Sequence, residues 1–342
     1  MGMKIVTGIL YPFALIYSLI VGVRNRLFDL GVLKEQPIFM SSIGVGNLST
    51  GGTGKTVVVD YLITLLKKHN PIVVLSRGYK RKTKGVVVGS NQSSAASIGD
   101  EPFQFIKKHP EISVVVAEKR VLGIQKIKEI SKPNAIILLD DVMQHRYVRP
   151  SLMILTTTFK EPFFLDRILP LGSLREPKKG AKRAEIIMVT KCPENLSQER
   201  IDQFKEQLIL DKHQQLFFTK IDYGKKILSA LGSQHLDKIS QPFVLVTGIA
   251  DPKPLLNFLN NKKLLFKHMS FPDHYNFKPS DVKNIEKIKG NGIVITTEKD
   301  YSRLYPKMND IDLFYLPITM EFININEQMI FDQVIREVSS KI

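Results

Sequence analysis

The segment Gly46-Asn47-Leu48-Ser49-Thr50-Gly51-Gly52-Thr53-Gly54-Lys55-Thr56 concentrates the residue types that hold phosphate. Glycines let backbone N–H groups curl around phosphate oxygens, and a following helix adds the positive end of its dipole. A lysine at position 55 reaches the β- and γ-phosphates of a nucleoside triphosphate, and the Thr56 hydroxyl is a ligand for Mg2+. On this reading Ser49, Thr50, Gly51, Gly52, Thr53, Gly54, Lys55 and Thr56 form the nucleotide loop, with a nucleoside triphosphate and Mg2+ expected in it. The competing reading is a glycine-rich turn with a chance Lys-Thr pair. An apolar run before the loop and a helical pattern after it favour the first.

Ser49 stands where the strict G-x-x-x-x-G-K-[ST] pattern has its first glycine. The core GGTGKT is instead similar to the GGxGK[ST] loops of deviant nucleotide-binding ATPases. A second element supports the loop: Ala135 to Asp141 reads as an apolar strand ending in two carboxylates, Asp140 and Asp141. Such a strand end orients Mg2+ beside a phosphate loop, whereas in isolation it often only caps a turn. Adjacent side chains on an extended strand point oppositely. One carboxylate is therefore expected at the metal and the other at a helix or the substrate.

Further polar clusters fall after expected strands or between elements: Ser76-Arg77-Gly78-Tyr79, Gly99-Asp100-Glu101-Pro102, Gln144-His145-Arg146, Leu174-Arg175-Glu176-Pro177 and Phe271-Pro272-Asp273-His274. Loops on a rigid scaffold commonly carry sites. Asp100-Glu101-Pro102 also reads as a helix cap with proline near the first turn. His274 beside Asp273 is either a surface pair or a base for a substrate hydroxyl. Arg77 and Arg175 are either surface charges or grips on phosphate oxygens. Lys178, Lys179, Lys182 and Arg183 read as a solvated basic face or a contact for anionic headgroups. Thr190-Lys191 follows an expected strand where related folds read a base.

Short apolar runs alternating with helical patterns must position these groups. The runs are Ile38–Val45, Ile72–Ser76, Ser113–Ala117, Ala135–Leu139, Leu152–Thr156 and Ile186–Thr190, with helices expected over Lys55–Lys68 and Pro102–Lys108. This rhythm predicts a mostly parallel sheet covered on both faces, with the loops after its strands along one edge. A second unit opens near Pro242 with FVLVTGIA, followed by a helix from Pro254 and strands at Gly292–Thr297 and Leu313–Leu316. The expected layout is a helix over residues 1–26, a core domain over 27–216, a linker over 217–241 and a smaller α/β domain over 242–342.

Composition narrows the class. With 342 residues, 43% hydrophobic and 24% charged, the chain supports a real core, and its length suggests two domains. The single cysteine, Cys192, excludes an intramolecular disulfide, and one cysteine with seven scattered histidines offers no zinc spacing. The net charge of +16 favours an anionic partner. Ile5–Val23 carries no charge and approaches the ~20 residues that span a bilayer. No convincing cleavage site follows it, so a membrane helix competes with a buried core helix. Arg24 and Arg26 directly after it would sit at an anionic leaflet, leaving the rest of the chain cytosolic.

Taken in order, VGNLSTGGTGKT, LSRGYKRKTKG, GDEPFQF, LLDDVMQHR, LPLGSLREPKKGAKRAE, VTGIADP, FPDHYNF and TTEKDYSRL resemble the tetraacyldisaccharide 4'-kinase family of lipid A biosynthesis. The resemblance runs from about residue 43 to 304. It implies a P-loop NTPase-type α/β/α sandwich, a second smaller α/β domain and a short two-stranded linker, with the site in the cleft between them. It implies ATP- and Mg2+-dependent phosphorylation of the 4'-hydroxyl of tetraacyldisaccharide 1-phosphate at the inner membrane of a Gram-negative bacterium. The partners are then this lipid and the anionic membrane surface, with no nucleic acid expected and the oligomeric state left open.

By motif, Asp100 takes the catalytic-base position, with His274 its partner and Asp273 beside it; Lys55 and Thr56 keep their loop roles. Asp140 and Asp141 take the metal and nucleotide positions. Arg77, Gln144, His145, Arg175 and Glu176 line the substrate or nucleotide side. One departure stands out: the family usually has DDGFQHR, and here Val142 replaces the glycine. Either that position needs no special dihedral or the loop differs locally. Two rivals share the loop: a deviant ATPase that switches on a membrane or DNA, and a nucleotide-binding protein without catalysis. The first commonly carries a lysine where this chain has Thr50, and it leaves the Asp-His pair without a task.

Overall fold

The computed structural model describes residues 2–308 and 311–340. Its centre is a nine-stranded sheet. In spatial order its strands are Ile318–Phe322, Gln215–Tyr223, Ile186–Thr190, Leu152–Thr158, Ser42–Gly46, Ile136–Asp140, Ile72–Ser76, Ser113–Val116 and Val87–Val88. The seven inner strands pair in parallel, and the outermost strand at each edge is antiparallel. The inner strands are nearly continuous apolar runs because both faces are covered. Alternation then divides each strand between two cores. Val73, Leu75, Ile137 and Leu139 pack on the face of helices Arg120–Ile130 and Gln198–Gln207. Ile72, Val74, Ile136 and Leu138 pack on the face of Lys55–Leu66, Asp100–Lys108 and Ile325–Ser340.

The six expected strands of the first unit are present, with one shift. Ile38–Met40 lies outside the strand, which starts at Ser42. The second sheet has six strands in the order Ser233–His235, Lys226–Leu228, Leu313–Leu316, Val294–Thr297, Phe243–Thr247 and Phe266–Ser270. Its parallel centre carries helices Lys253–Asn261, Pro279–Lys289 and Glu298–Met308.

The chain divides between the sheets differently from the expected boundaries. Residues 217–223, expected as linker, continue the strand Gln215–Tyr223 of the large sheet. After Pro317 the chain returns: Ile318–Phe322 pairs with Thr219–Tyr223, and Phe331 and Ile335 of the last helix are fully buried in the large core. These segments are short and alternate in polarity, so only long-range pairing assigns them. Two crossings, Tyr223 to Lys226 and Leu316 to Ile318, join the units.

The N-terminal helix runs Gly2–Asp29 and contains Pro12. It is not a core helix: over Gly8–Asp29 only 6% of the apolar window is buried. Ile9, Phe13, Ile16, Leu19 and Ile20 are exposed. Its C-terminal half docks through Phe28, which is buried against Tyr147 and lies between the guanidiniums of Arg24 and Arg146.

Candidate active site

The phosphate loop leaves the central strand Ser42–Gly46 and enters the helix Lys55–Leu66. This is the topological switch point of the sheet, where an open crevice forms at the strand ends. Gly51 and Gly54 have φ of 102° and 83°, which favour glycine, and a Cβ at Gly54 would meet Thr190 at 3.2 Å. No side chain caps the helix, so its first turn is left for an anion. The loop is clamped from beneath. Thr53 Oγ1 lies 2.7 Å from Thr156 Oγ1, and Thr190 donates to the Thr53 carbonyl at 2.9 Å. Backbone bonds clasp it from the side: Thr50 N–H to Ser173 O at 2.7 Å and Arg175 N–H to Leu48 O at 2.7 Å.

Lys55 reaches Asn47 Oδ1 at 3.0 Å and Asp141 Oδ1 at 3.3 Å. Arg175 grips Asp141 with two nitrogens at 2.8 and 3.1 Å and also bonds Asn47. Burial alone would raise the Asp141 carboxyl, but Arg175 and Lys55 hold it far below the usual carboxylate range. Asp140 differs. Its Oδ2 accepts from Ser76 at 3.0 Å, while its Oδ1 is buried with no hydrogen-bond partner. Burial, with the charges of Glu101 and Asp141, pushes Asp140 up to about 7. A lone buried carboxylate oxygen in a cluster of negative charge fits a cation, and Mg2+ needs only one or two protein carboxylates beside phosphate and water. Thr56, expected as a metal ligand, donates to Glu101 Oε1 at 3.0 Å. Donation uses the hydroxyl proton and leaves its lone pairs for a metal.

Val142 is fully buried and is not among the residues of positive φ; the left-handed residue is Asp141, at 48°. The position thus needs no special dihedral. A Cβ at Gly44 would lie 2.8 Å from Val142 Cγ1, so Gly44 makes the room that the valine occupies.

Asp100 and Glu101 open the helix Asp100–Lys108, whose cap position is Gly99 at φ 96°. Asp100 is therefore a first-turn residue and not the cap. Across the cleft, His274 places Nδ1 3.2 Å from Asp100 Oδ2. Its Nε2 lies 4.0 Å from Asp273 Oδ2. His274 holds φ 58°, and its N–H bonds Gly248 O at 3.1 Å. Burial raises the Asp100 carboxyl, but the His274 hydrogen bond and the Arg303 charge outweigh it and hold it below the usual range. The carboxylate is thus ionised at neutral pH.

The remaining expected residues divide. Gln144 donates to Asn47 O and Glu176 Oε1, both at 2.9 Å. Glu176 is 1% exposed, and Arg183, Gln144 and Asn25 of the N-terminal helix take its oxygens. Glu176 therefore acts as an anchor for the loop and the helix in this geometry. His145 is surrounded by Arg120, Arg77 and Arg175, and burial with these charges pushes it down to about 3, so it is neutral. Arg77 is exposed and makes no ion pair or hydrogen bond among the described residues. Sequence reasoning missed Asn47, Ser76, Glu101, Arg120, Lys299 and Arg303. All but Arg120 lie inside the segments quoted above, but their partners are distant in the chain. Arg120 is buried and donates to Ala117 O and Asp140 O at 2.6 and 3.1 Å.

A parallel sheet with a glycine-rich, lysine-bearing loop at its switch point defines an α/β protein of the P-loop nucleotide-binding class. Comparison with known proteins narrows it. The model of the family described as Tetraacyldisaccharide-1-P 4'-kinase matches residues 6–338. The tetraacyldisaccharide 4'-kinase of Flavobacterium psychrophilum is 43% identical over 97% of this chain and 96% of that protein. That of Bacteroides thetaiotaomicron is 40% identical over 95% and 91%. A crystal structure of LpxK from Aquifex aeolicus in complex with ATP superposes with a TM-score of 0.78 at 31% identity, covering 97% of this chain and 99% of that one. The chain belongs to the tetraacyldisaccharide-1-phosphate 4'-kinase family, and it is an enzyme of the kinase class.

Proposed function

We propose that this kinase transfers the γ-phosphoryl group of ATP to the 4'-hydroxyl of tetraacyldisaccharide 1-phosphate, a lipid A precursor, at the cytoplasmic face of the inner membrane. The carrying observation is the meeting across one cleft of the phosphate loop and Asp100 of the larger unit with His274 of the smaller unit, the two sides linked through Thr56, Glu101 and Lys299.

The geometry supports the following division of labour. The loop residues Ser49 to Thr56 take the phosphates, with Lys55 on the outer ones. Asp140 and the Thr56 hydroxyl would hold Mg2+, which would supply charge neutralisation on the phosphate oxygens. Asp141 positions Lys55 and Arg175 for the phosphate groups. Asp100 accepts the proton of the sugar hydroxyl. His274, steadied by the Pro272–His274 turn beside Asp273, orients that carboxylate. Arg77, exposed and unpaired among the described residues, faces the substrate's own phosphate, and neutral His145 lies beside it. Phosphoryl transfer needs positioning and charge neutralisation more than covalent chemistry, which this set supplies.

Membrane attachment through the exposed N-terminal helix suits the substrate. A lipid with four acyl chains leaves a bilayer at ~0.8 kcal/mol per exposed CH2. The test is a transfer assay with detergent-solubilised protein, labelled ATP, Mg2+ and the disaccharide 1-phosphate lipid. Label on the lipid establishes the reaction. Release of free phosphate with no labelled lipid, from protein confirmed to be folded, would overturn it in favour of an ATPase.

A further inference from the structure

Arg303 projects from helix Glu298–Met308 of the smaller unit, and its side chain is only 8% exposed. Its three nitrogens each have a separate partner. Nε donates to Asp100 Oδ2 at 2.9 Å, Nη1 to Asp300 Oδ1 at 3.2 Å, and Nη2 lies 3.2 Å from His274 Nδ1. Asp300 is itself fully buried and pinned. Its Oδ2 accepts from Gly248 N–H and from Thr297 Oγ1, both at 2.7 Å. Gly248 in turn holds the His274 backbone through its carbonyl. One buried carboxylate thus sets both the histidine and the arginine in a single rigid frame of the smaller unit.

That frame meets Asp100 of the larger unit at one atom. Oδ2 takes Arg303, and also His274 when Nδ1 carries the proton, whereas an unprotonated Nδ1 accepts from Arg303 Nη2; no hydrogen bond among the described residues occupies Oδ1. A guanidinium only donates and never titrates in the working range. It therefore keeps Oδ2 occupied whichever nitrogen of His274 carries the proton. Were His274 alone to hold the carboxylate, a tautomer change would free it to rotate.

We infer that Arg303 is a positioning residue for phosphoryl transfer: it anchors Asp100 Oδ2 to the smaller unit so that Oδ1 faces the sugar hydroxyl. This rests on the assignment of Asp100 as base in the proposed function. The guanidinium meets Asp100, Asp300 and His274, and Arg303 acts through Asp100.

The experiment is a double-mutant cycle on the full-length enzyme in the lipid transfer assay. Arg303→Met is expected to lower kcat by on the order of 10-fold to 10²-fold, part of what a positioned base contributes, with KM for ATP and for the lipid unchanged within about twofold. Arg303→Lys keeps the charge without the fork and is expected to recover part of kcat. It also serves if the Met variant fails to fold. In an Asp100→Asn background, Arg303→Met should cost nothing further, since there is no base left to position. An unchanged kcat in both single variants, or an equal loss with and without Asp100, would overturn the inference. Wild-type kcat in Asp100→Asn alone would instead overturn the base assignment, and the inference with it.

Discussion

Asp140 and Asp141 are chemically identical neighbours with opposite environments. Asp141 faces two cations, and Asp140 faces burial and other carboxylates. A proton and Mg2+ compete for Asp140. Because its folded-state pKa is raised to about 7, Mg2+ binding in the presence of nucleotide should strengthen as pH rises from about 5 to 7 and then level off. Titration calorimetry at several pH values measures this, and Asp140→Asn should weaken binding and flatten the dependence. A flat profile in the wild type would refute the assignment of Asp140 to the metal. Lys55→Ala should abolish transfer while leaving circular dichroism unchanged, since among the described residues Lys55 bonds only the side chains of Asn47 and Asp141 and packs in no core cluster. Val142→Gly, though it restores the usual family residue, should destabilise the protein by about 2–4 kcal/mol through lost burial and added chain entropy. A denaturant titration decides that, and equal stability would show the valine to be incidental.

Helices carry the next level of organisation. Asp100–Lys108 of the larger unit and Glu298–Met308 of the smaller face each other through three ionic contacts. These are Asp100 to Arg303 at 2.9 Å, Glu101 to Lys299 at 3.3 Å and Lys108 to Glu298 at 3.4 Å. Lys108 also meets Asp60 at 2.9 Å, tying the pair to the phosphate-loop helix. The last helix, Ile325–Ser340, belongs energetically to the large unit despite its place in the sequence. Phe331→Ala removes a fully buried ring from that core and should cost about 3–5 kcal/mol in chemical denaturation. A loss under ~1 kcal/mol would mean that the helix is not part of the core.

For the whole molecule, the N-terminal helix joins an exposed apolar surface to the site. Ile9, Phe13, Leu15, Ile16, Leu19 and Ile20 are exposed, while Tyr17, Arg24 and Asn25 bond the Arg175 carbonyl, the Gln144 carbonyl and Glu176. The intact chain should therefore stay with membranes in high salt, because burial of apolar area is not screened as surface charge is. Deleting residues 1–23 should release it and also raise KM for the lipid, since the Tyr17 contact beside the phosphate loop is lost. Complete release of the intact chain by salt would count against insertion.

Much of this was legible in the chain. The spacing of GGTGKT after an apolar run identified the phosphate loop, because glycine freedom and helix polarity are local properties. The paired carboxylates, the uncharged N-terminal stretch and the strands of the parallel core were legible for the same reason, since period and composition are carried by neighbouring residues. Three things were decided only by tertiary structure. The pairing of Ile318–Phe322 with the large sheet depends on a partner about 100 residues away. The unlike environments of Asp140 and Asp141 depend on Ser76, Glu101 and Arg175, which come from a strand, a helix and a loop far apart in the chain. Glu176 and Arg303 exchange expected prominence, because a charged group's role is set by which partners reach it: Arg183 and Asn25 take the oxygens of Glu176, while Arg303 meets Asp100. Charge gains its meaning from distance and burial, and neither is written along a sequence.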